Sequence, residues 1–311
     1  METVNNTLSI LSILYVLIAV GYIAAKKDFL KIEFLPGLNS YIMKIALPCT
    51  FFMALQRKYE PGFLKDSIFC LVLSFVIFFV TVAAAYLISR VLKISKEKEG
   101  AWVFASVFTN GALIGYPLVT AVFGHDALSF AAFINIPYCL FLNSYGVYIL
   151  TKDLKDNGKE RMTLKQILLL PTNLFIFAGL IFLAFQWELP SVIAEPMKLL
   201  SNTTSPIAMI IIGMTLSQVK IKEIFTDRET ISGTIAKLVI LPAIAFGITS
   251  IFYSQNVSIM AAMMTICATP TAATVPTIAT SFGADGKIAA KITFLTSVFS
   301  ILTLPLWYMF C

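Results

Sequence analysis

Phe108–Asp126 reads FTNGALIGYPLVTAVFGHD, and Cys267–Asp285 reads CATPTAATVPTIATSFGAD. Laid one above the other, Pro117 falls on Pro276, Phe123 on Phe282, Gly124 on Gly283 and Asp126 on Asp285, at a constant offset of 159. A shift of 158 brings Gly21 onto Gly179 and Pro48 onto Pro206, so the relation runs over most of the chain. An apolar chain whose second half repeats its first, with a Gly/Pro-broken segment at the same place in each half, has the organisation of a secondary transporter.

Of the 311 residues, 58% are hydrophobic and 13% charged. A soluble domain has no interior large enough for that much apolar surface, so the chain reads as a membrane protein. His125 is the lone histidine, and Cys49, Cys70, Cys139, Cys267 and Cys311 are scattered in or beside apolar runs. No Cys/His cluster exists to ligate a cation, so neither a metal site nor a cofactor is expected. The cysteines read as packing residues. The N-terminal METVNNTLS carries no basic stretch ahead of the first apolar run, which reads as an uncleaved span and not as a signal peptide.

Ten apolar runs are long enough to cross a bilayer, near residues 7–25, 36–56, 66–89, 100–123, 128–150, 164–186, 193–217, 230–252, 257–282 and 287–310. The expected fold is an all-α polytopic membrane protein of ten transmembrane helices. Residues 1–151 form one five-helix repeat, 152–163 a short linker and 164–311 the second repeat. Five spans is an odd number, so the second repeat enters the membrane from the opposite side and the repeat is inverted. Alternate loops hold Lys26, Lys27, Lys31; Arg90, Lys93, Lys96, Lys98; Lys152, Lys155, Lys159, Arg161, Lys165; Lys220, Lys222, Arg228; and Lys287, sixteen cations on one side. The other side has four: Arg57, Lys58, Lys65 and Lys198. The positive-inside rule puts the sixteen in the cytoplasm and both termini outside a plasma (inner) membrane. The net charge of +6 is therefore a topology signal, and no nucleic-acid partner is expected.

Asn110-Gly111-Ala112-Leu113-Ile114-Gly115-Tyr116-Pro117 interrupts span four, and Thr269-Pro270-Thr271-Ala272-Ala273-Thr274-Val275-Pro276 interrupts span nine. Proline removes a backbone donor and clashes with the preceding turn, and unwound backbone is tolerated in lipid only when it lines a cavity or is buried in protein. The two breaks should therefore face each other. Pro117 and Pro276 suit the first position of the half-helix that follows, whose free N–H groups and partial positive charge favour a carboxylate. In span seven, Ser201-Asn202-Thr203-Thr204-Ser205 is unusually polar; hydroxyls bonded to helix carbonyls and a cavity wall explain it equally well. Asn135 and Asn143 are eight residues apart and share a face of span five, either to bind a carboxylate through their amides or to tie helices together.

Lys44 lies about two turns, roughly 12 Å, into span two, Lys237 at similar depth in span eight, and Lys291 near the cytoplasmic end of span ten. A lysine at depth faces a cavity or a partner unless it snorkels. All seventeen acidic residues fall in loops or near span ends. Proton antiport and many sodium sites need a carboxylate at depth, so strong cation coupling is not supported and an organic anion is favoured. One charge crossing 100 mV is worth about 2.3 kcal/mol, so an inside-negative potential drives anions outward without coupling.

Asn110, Gly115, Pro117, Leu118, Ala121 and Gly124 resemble the fourth-span motif of the auxin efflux carrier family, which includes plant PIN carriers and bacterial malate and malonate permeases. Val275-Pro276 resembles the corresponding step in span nine. The resemblance implies spans four and nine crossing at the substrate site, in a plan shared with bile-acid-type carriers. It implies a fixed scaffold with a moving transport part, an elevator-like exchange, and carboxylate substrates. The crossover role carries over onto Asn110, Pro117 and Pro276. Family members often form homodimers, though no interface is legible here. The linker between the halves is short where plant carriers have a long loop, so the chain resembles a microbial member.

The reading is a carrier for small organic anions such as malate or malonate. Asn110, Gly111, Gly115 and Pro117 shape the first break, Pro270, Thr271 and Pro276 the second. Lys44 compensates charge, and Asn135 and Asn143 supply amides. The alternatives are a sodium-coupled bile-acid-type symporter and an auxin-like efflux carrier of aromatic carboxylates. A membrane enzyme is disfavoured by the single histidine and the lack of paired intramembrane acids.

Overall fold

The computed structural model describes residues 2–56, 62–142, 144–152, 169, 171–218, 227–253 and 256–310. These residues are helical throughout, apart from loops and one isolated backbone bridge. In chain order the helices are α1 (Glu2–Lys26), α2 (Leu35–Tyr41), α3 (Leu47–Ala54), α4 (Phe63–Val91), α5 (Lys96–Val107), α6 (Tyr116–Leu142) and α7 (Tyr145–Thr151). Then follow α8 (Pro171–Phe185), α9 (Ser191–Leu216), α10 (Arg228–Ile235), α11 (Leu241–Tyr253), α12 (Val257–Ala268), α13 (Val275–Ser281) and α14 (Gly286–Tyr308). The 152–163 linker, Lys152 apart, and Asn143 lie outside the described residues.

Two stretches, Phe63–Val91 and Arg228–Phe252, are continuous, long and apolar enough to cross a bilayer. Two bent pairs reach that length together, Ala127–Leu142 with Tyr145–Thr151 and Gly286–Ser300 with Leu302–Tyr308. Tyr15–Lys26, Leu174–Phe185 and Val257–Ala268 are shorter apolar helices. Among the described residues, the α-helical pieces number fourteen where the hydropathy pattern gives ten runs, which reflects breaks inside runs.

Three breaks share a cause. π-Helical turns occur at Ile42–Ala46, Gly111–Gly115 and Ala236–Ile240, and each ends two residues before a proline: Pro48, Pro117 and Pro242. A proline has no N–H to give the carbonyl four residues back, and its ring crowds that carbonyl. Widening the preceding turn relieves the clash without ending the helix.

The pieces sort into two bundles. α1, α2, α3, α8 and α9 pack mainly on one another, and α4–α7 with α10–α14 form the larger group. α1 crosses α9 where Gly21 meets the backbone of Ile210 and Gly213 meets that of Ile18 and Tyr22. No side chain fits at either point, which is how small residues let helices associate in an apolar solvent. Gly179, the repeat partner of Gly21, sits against Phe52 and Leu55 of α3. The polar run of α9 knits this bundle further. Thr203 bonds Tyr41 Oη at 2.7 Å, and Thr204 bonds Thr50 at 2.8 Å. Those two threonines tie helices together, and Thr203 also donates to the Leu200 carbonyl of its own helix at 2.6 Å, the bond to a helix carbonyl that the first reading expects.

Within the larger bundle, Gly124 and Gly283 have φ of +83° and +81°. The offset of 159 thus pairs two glycines that both have positive φ, which L side chains rarely adopt. After the second, Asp285 caps α14 by accepting from the N–H groups of Lys287 (3.0 Å) and Ile288 (3.2 Å). The starts of α5, α10 and α14 are clamped together by Lys98–Glu229 (2.6 Å) and Lys291–Asp227 (3.1 Å), with Trp102 Nε1 donating to the Glu229 carbonyl at 2.9 Å. These are three of the loops that the lysine count places on one side. Lys291 therefore reaches an acid at the helix ends.

Partial burial pushes the Asp227 carboxyl up, but hydrogen bonds from Thr230 and Lys291 and the Lys291 charge outweigh it, leaving Asp227 below its ordinary value. The hydrogen bond to Glu229 raises Lys98. Asp227 thus contributes stability above its ordinary value of about 4 and loses it as pH falls through the lower folded value. Lys98 contributes below its ordinary value of about 10.4 and loses it as pH rises through the higher folded value. Asp227→Asn should lower the thermal midpoint at pH 7 and flatten its fall between pH 5 and pH 3, in melts of the detergent-purified protein. Gly213→Leu should lower the midpoint at every pH, because it separates α1 from α9.

Candidate functional site

The two breaks meet. Thr109 and Thr271 form an antiparallel backbone bridge. Asn110 N–H donates to the Pro270 carbonyl at 2.8 Å, and Ala272 N–H donates to the Phe108 carbonyl at 3.1 Å. Each break supplies the donors and acceptors that the other lost by unwinding, so the exposed backbone predicted for both is satisfied in protein. Thr271 strengthens the crossing, its hydroxyl donating to the Ala105 carbonyl at 2.6 Å and its N–H to Thr296 Oγ1 at 3.2 Å.

The helix after the first break begins earlier than the proline rule indicates. Asn110 leaves the helical region (φ −88°, ψ 46°), and helix resumes at Gly111 as a π turn, so Pro117 lies six residues inside and does not start it. Glycine at 111 and the widened turn together let the chain re-enter helix early. Pro276 lies at the second position of α13, one residue inside the first position expected for it. Gly111 and Gly115 have no room for a side chain: Asn135 Oδ1 stands 2.6 Å from where a Cβ of residue 111 would be, and Ile266 Cδ1 3.1 Å from that of residue 115. Both glycines therefore let the first break close onto α6 and α12.

Three polar side chains are enclosed at the crossing. Asn110 is 3% exposed and Thr109 8%, and both Asn110 Nδ2 and Thr109 Oγ1 are buried with no hydrogen-bond partner. A buried amide donor left unpaired is costly, so native proteins keep one where a ligand or water completes it. Asn135 is buried behind them, with Nδ2 donating to Tyr116 Oη at 3.3 Å and to Cys139 Sγ at 3.4 Å. It braces the break from the α6 side. The ring of Phe51 from α3 meets Tyr116 edge-on at 5.9 Å, so this is also where the two bundles touch.

The two deep lysines differ. Lys44, in the π turn before α3, is exposed on the protein surface. Lys237, in the π turn before α11, is 1% exposed and is the one buried charged side chain among the described residues. Its Nζ donates to the Cys267 carbonyl at 3.4 Å. Sequence reasoning ranked the two together, because depth is legible from hydropathy and helix face is not. Thr109, flanking the quoted break, was passed over; its position beside Asn110 was the available signal.

Apolar helices in two bundles, two of them broken and crossing through their backbones at an enclosed polar spot, define a polytopic membrane protein built around a central site. The chain belongs to the membrane transport protein family, matched over residues 8–308, the family of the auxin efflux carriers and a family of membrane transporters. It is 26% identical over 308 residues to an uncharacterised transporter of Methanocaldococcus jannaschii, covering 96% of this chain and 97% of that protein. It is 25% identical over 304 residues to an uncharacterised transporter of Methanothermobacter thermautotrophicus, covering 97% of each.

Thr271→Val should remove the bond to Ala105 while keeping shape. The expected loss is about 1–3 kcal/mol from the unpaired carbonyl, read as a lower melting midpoint than that of Thr280→Val, whose hydroxyl bonds its own helix at an exposed position.

Proposed function

We propose that this transporter is a carrier of small organic anions, carboxylates such as malate or malonate, in the cytoplasmic membrane, with both termini outside. In this reading ten spans form two inverted five-helix repeats. The larger bundle carries the substrate past the smaller one in an elevator-like exchange, and the inside-negative potential drives the anion outward.

The observation that carries the reading is the pair of unpartnered buried groups at the crossing, Asn110 Nδ2 and Thr109 Oγ1. An amide N–H and a hydroxyl can donate to a carboxylate without holding a net charge in its absence. The helix that resumes at Gly111 begins next to Asn110, so the favourable end of its dipole lies beside these groups. Lysine is the buried charge type among the described residues, which favours an anion over a cation. Gly111, Gly115, Pro117, Pro270, Thr271 and Pro276 hold the breaks in shape. Lys44, exposed on the π turn before α3, supplies the attracting charge, and Asn135 positions the first break.

The test is malate flux in proteoliposomes at a clamped potential. Saturable flux should follow the potential without a pH or sodium gradient. Asn110→Ala should lower it at least tenfold with an unchanged melting midpoint, and Lys44→Ala should raise the half-saturating malate concentration. Flux at the wild-type level in Asn110→Ala, or flux that needs a sodium gradient, would contradict the reading.

A further inference from the structure

Lys237 lies at the C-terminal end of α12, the half-helix that leads into the second break. Its Nζ points to the carbonyl of Cys267, the penultimate residue of α12 (3.4 Å), and makes no ion pair among the described residues. The neighbouring carbonyls of α12 are taken from within the chain. Thr265 accepts from Thr269 N–H at 3.0 Å, and Ile266 accepts from Thr269 Oγ1 at 2.8 Å. The amine thus completes the end of a helix whose dipole is negative there.

The first half shows that packing does not require a lysine at this place. An offset of 159 pairs Lys237 with Phe78 and Cys267 with Phe108. Phe78 is buried in the uninterrupted α4, its ring 5.6 Å from that of Phe108 and stacked on Phe141 at 4.9 Å. In the first half the place beside the residue that follows the half-helix is filled by an aromatic pair. In the second half the place beside the penultimate residue of the half-helix is filled by a buried lysine on a π turn. Pro242 accounts for the π turn itself, and such turns are frequent at functional sites. Here it also leaves the Leu238 carbonyl for Trp307 Nε1, at 2.9 Å.

In carriers built from broken helices, carbonyls at half-helix C-terminal ends coordinate the coupling cation, while N-terminal ends meet the anion. We propose that the Lys237 amine is a resident substitute for a coupling cation: an amine held at the carbonyl end of α12 that lets the crossover hold an anion with no cotransported cation. The proposal rests on the anion-carrier reading for its purpose and on the placement of Lys237 for its substance.

Deleting the side chain should leave a space beside the Cys267 carbonyl that a small cation fills. In melts of the purified full chain at equal ionic strength, Lys237→Ala should have a higher midpoint in ammonium or sodium chloride than in choline chloride, and the wild type should not distinguish them. In proteoliposomes, malate flux by Lys237→Ala should fall at least tenfold in choline and recover with the same small cation. Lys237→Met, which fills the space without the charge, should lose flux as far and recover in no salt. A Lys237→Ala protein that purifies folded only with ammonium or sodium present is the same result in stronger form. Melts of Lys237→Ala that are indifferent to the cation, or wild-type flux in Lys237→Met, overturn the proposal. The melting arm needs no substrate, so absent malate flux in the wild type would count against the carboxylate reading and leave this test standing.

Discussion

Two stretches of backbone cannot both be unwound inside an apolar solvent unless each satisfies the other, and the antiparallel crossing of residues 108–110 with 270–272 does this. It needs only two backbone hydrogen bonds, at 2.8 and 3.1 Å, because each break is short. Much else follows from holding these strands together. Glycine is needed at 111 and 115 so that neighbouring elements can close on the break. Thr271 must spend its hydroxyl on α5. Asn135 must stand behind the first break and not in front of it. What remains open at the crossing is a side-chain amide and a hydroxyl, and that is the polar character left for a ligand.

The division into two bundles gives this crossing a mechanical setting. The smaller bundle is bound by close backbone contact at Gly21 and Gly213 and by threonine and tyrosine hydroxyls. The larger is bound by aromatic stacking around Phe78 and by the ion pairs that join the starts of α5, α10 and α14. Each set of strong contacts is internal to one bundle. The ion pairs are partly exposed and individually weak, worth under about 1 kcal/mol each, but together they join three helix starts.

The breaks and their matching positions were legible in the sequence because proline and glycine have large, specific backbone effects. Gly124 and Gly283 show it most plainly, since the alignment pairs them and both have positive φ. That the breaks would face each other followed from the cost of unpaired backbone in lipid. The start of the helix at Gly111 was not legible, because proline at 117 can either begin a helix or widen a turn within one, and only the neighbouring packing decides. Nor could Lys44 and Lys237 be told apart: when both lipid and protein interior are apolar, hydrophobicity does not report which face of a helix is inside. Asn135 was noticed for its chemistry, but its role behind the break depends on contacts nineteen residues back, at Tyr116.

The central claim is that the crossing around Asn110 is a ligand site and not merely a joint. The most direct measurement is thiol labelling of Asn110→Cys in a chain whose five native cysteines are replaced, reconstituted in liposomes, with and without malate. The account predicts slow labelling that malate suppresses at saturating concentration, in a chain whose flux is at most a tenth of the wild type's. Labelling that malate does not slow at any concentration, or wild-type flux in this chain, would contradict the claim.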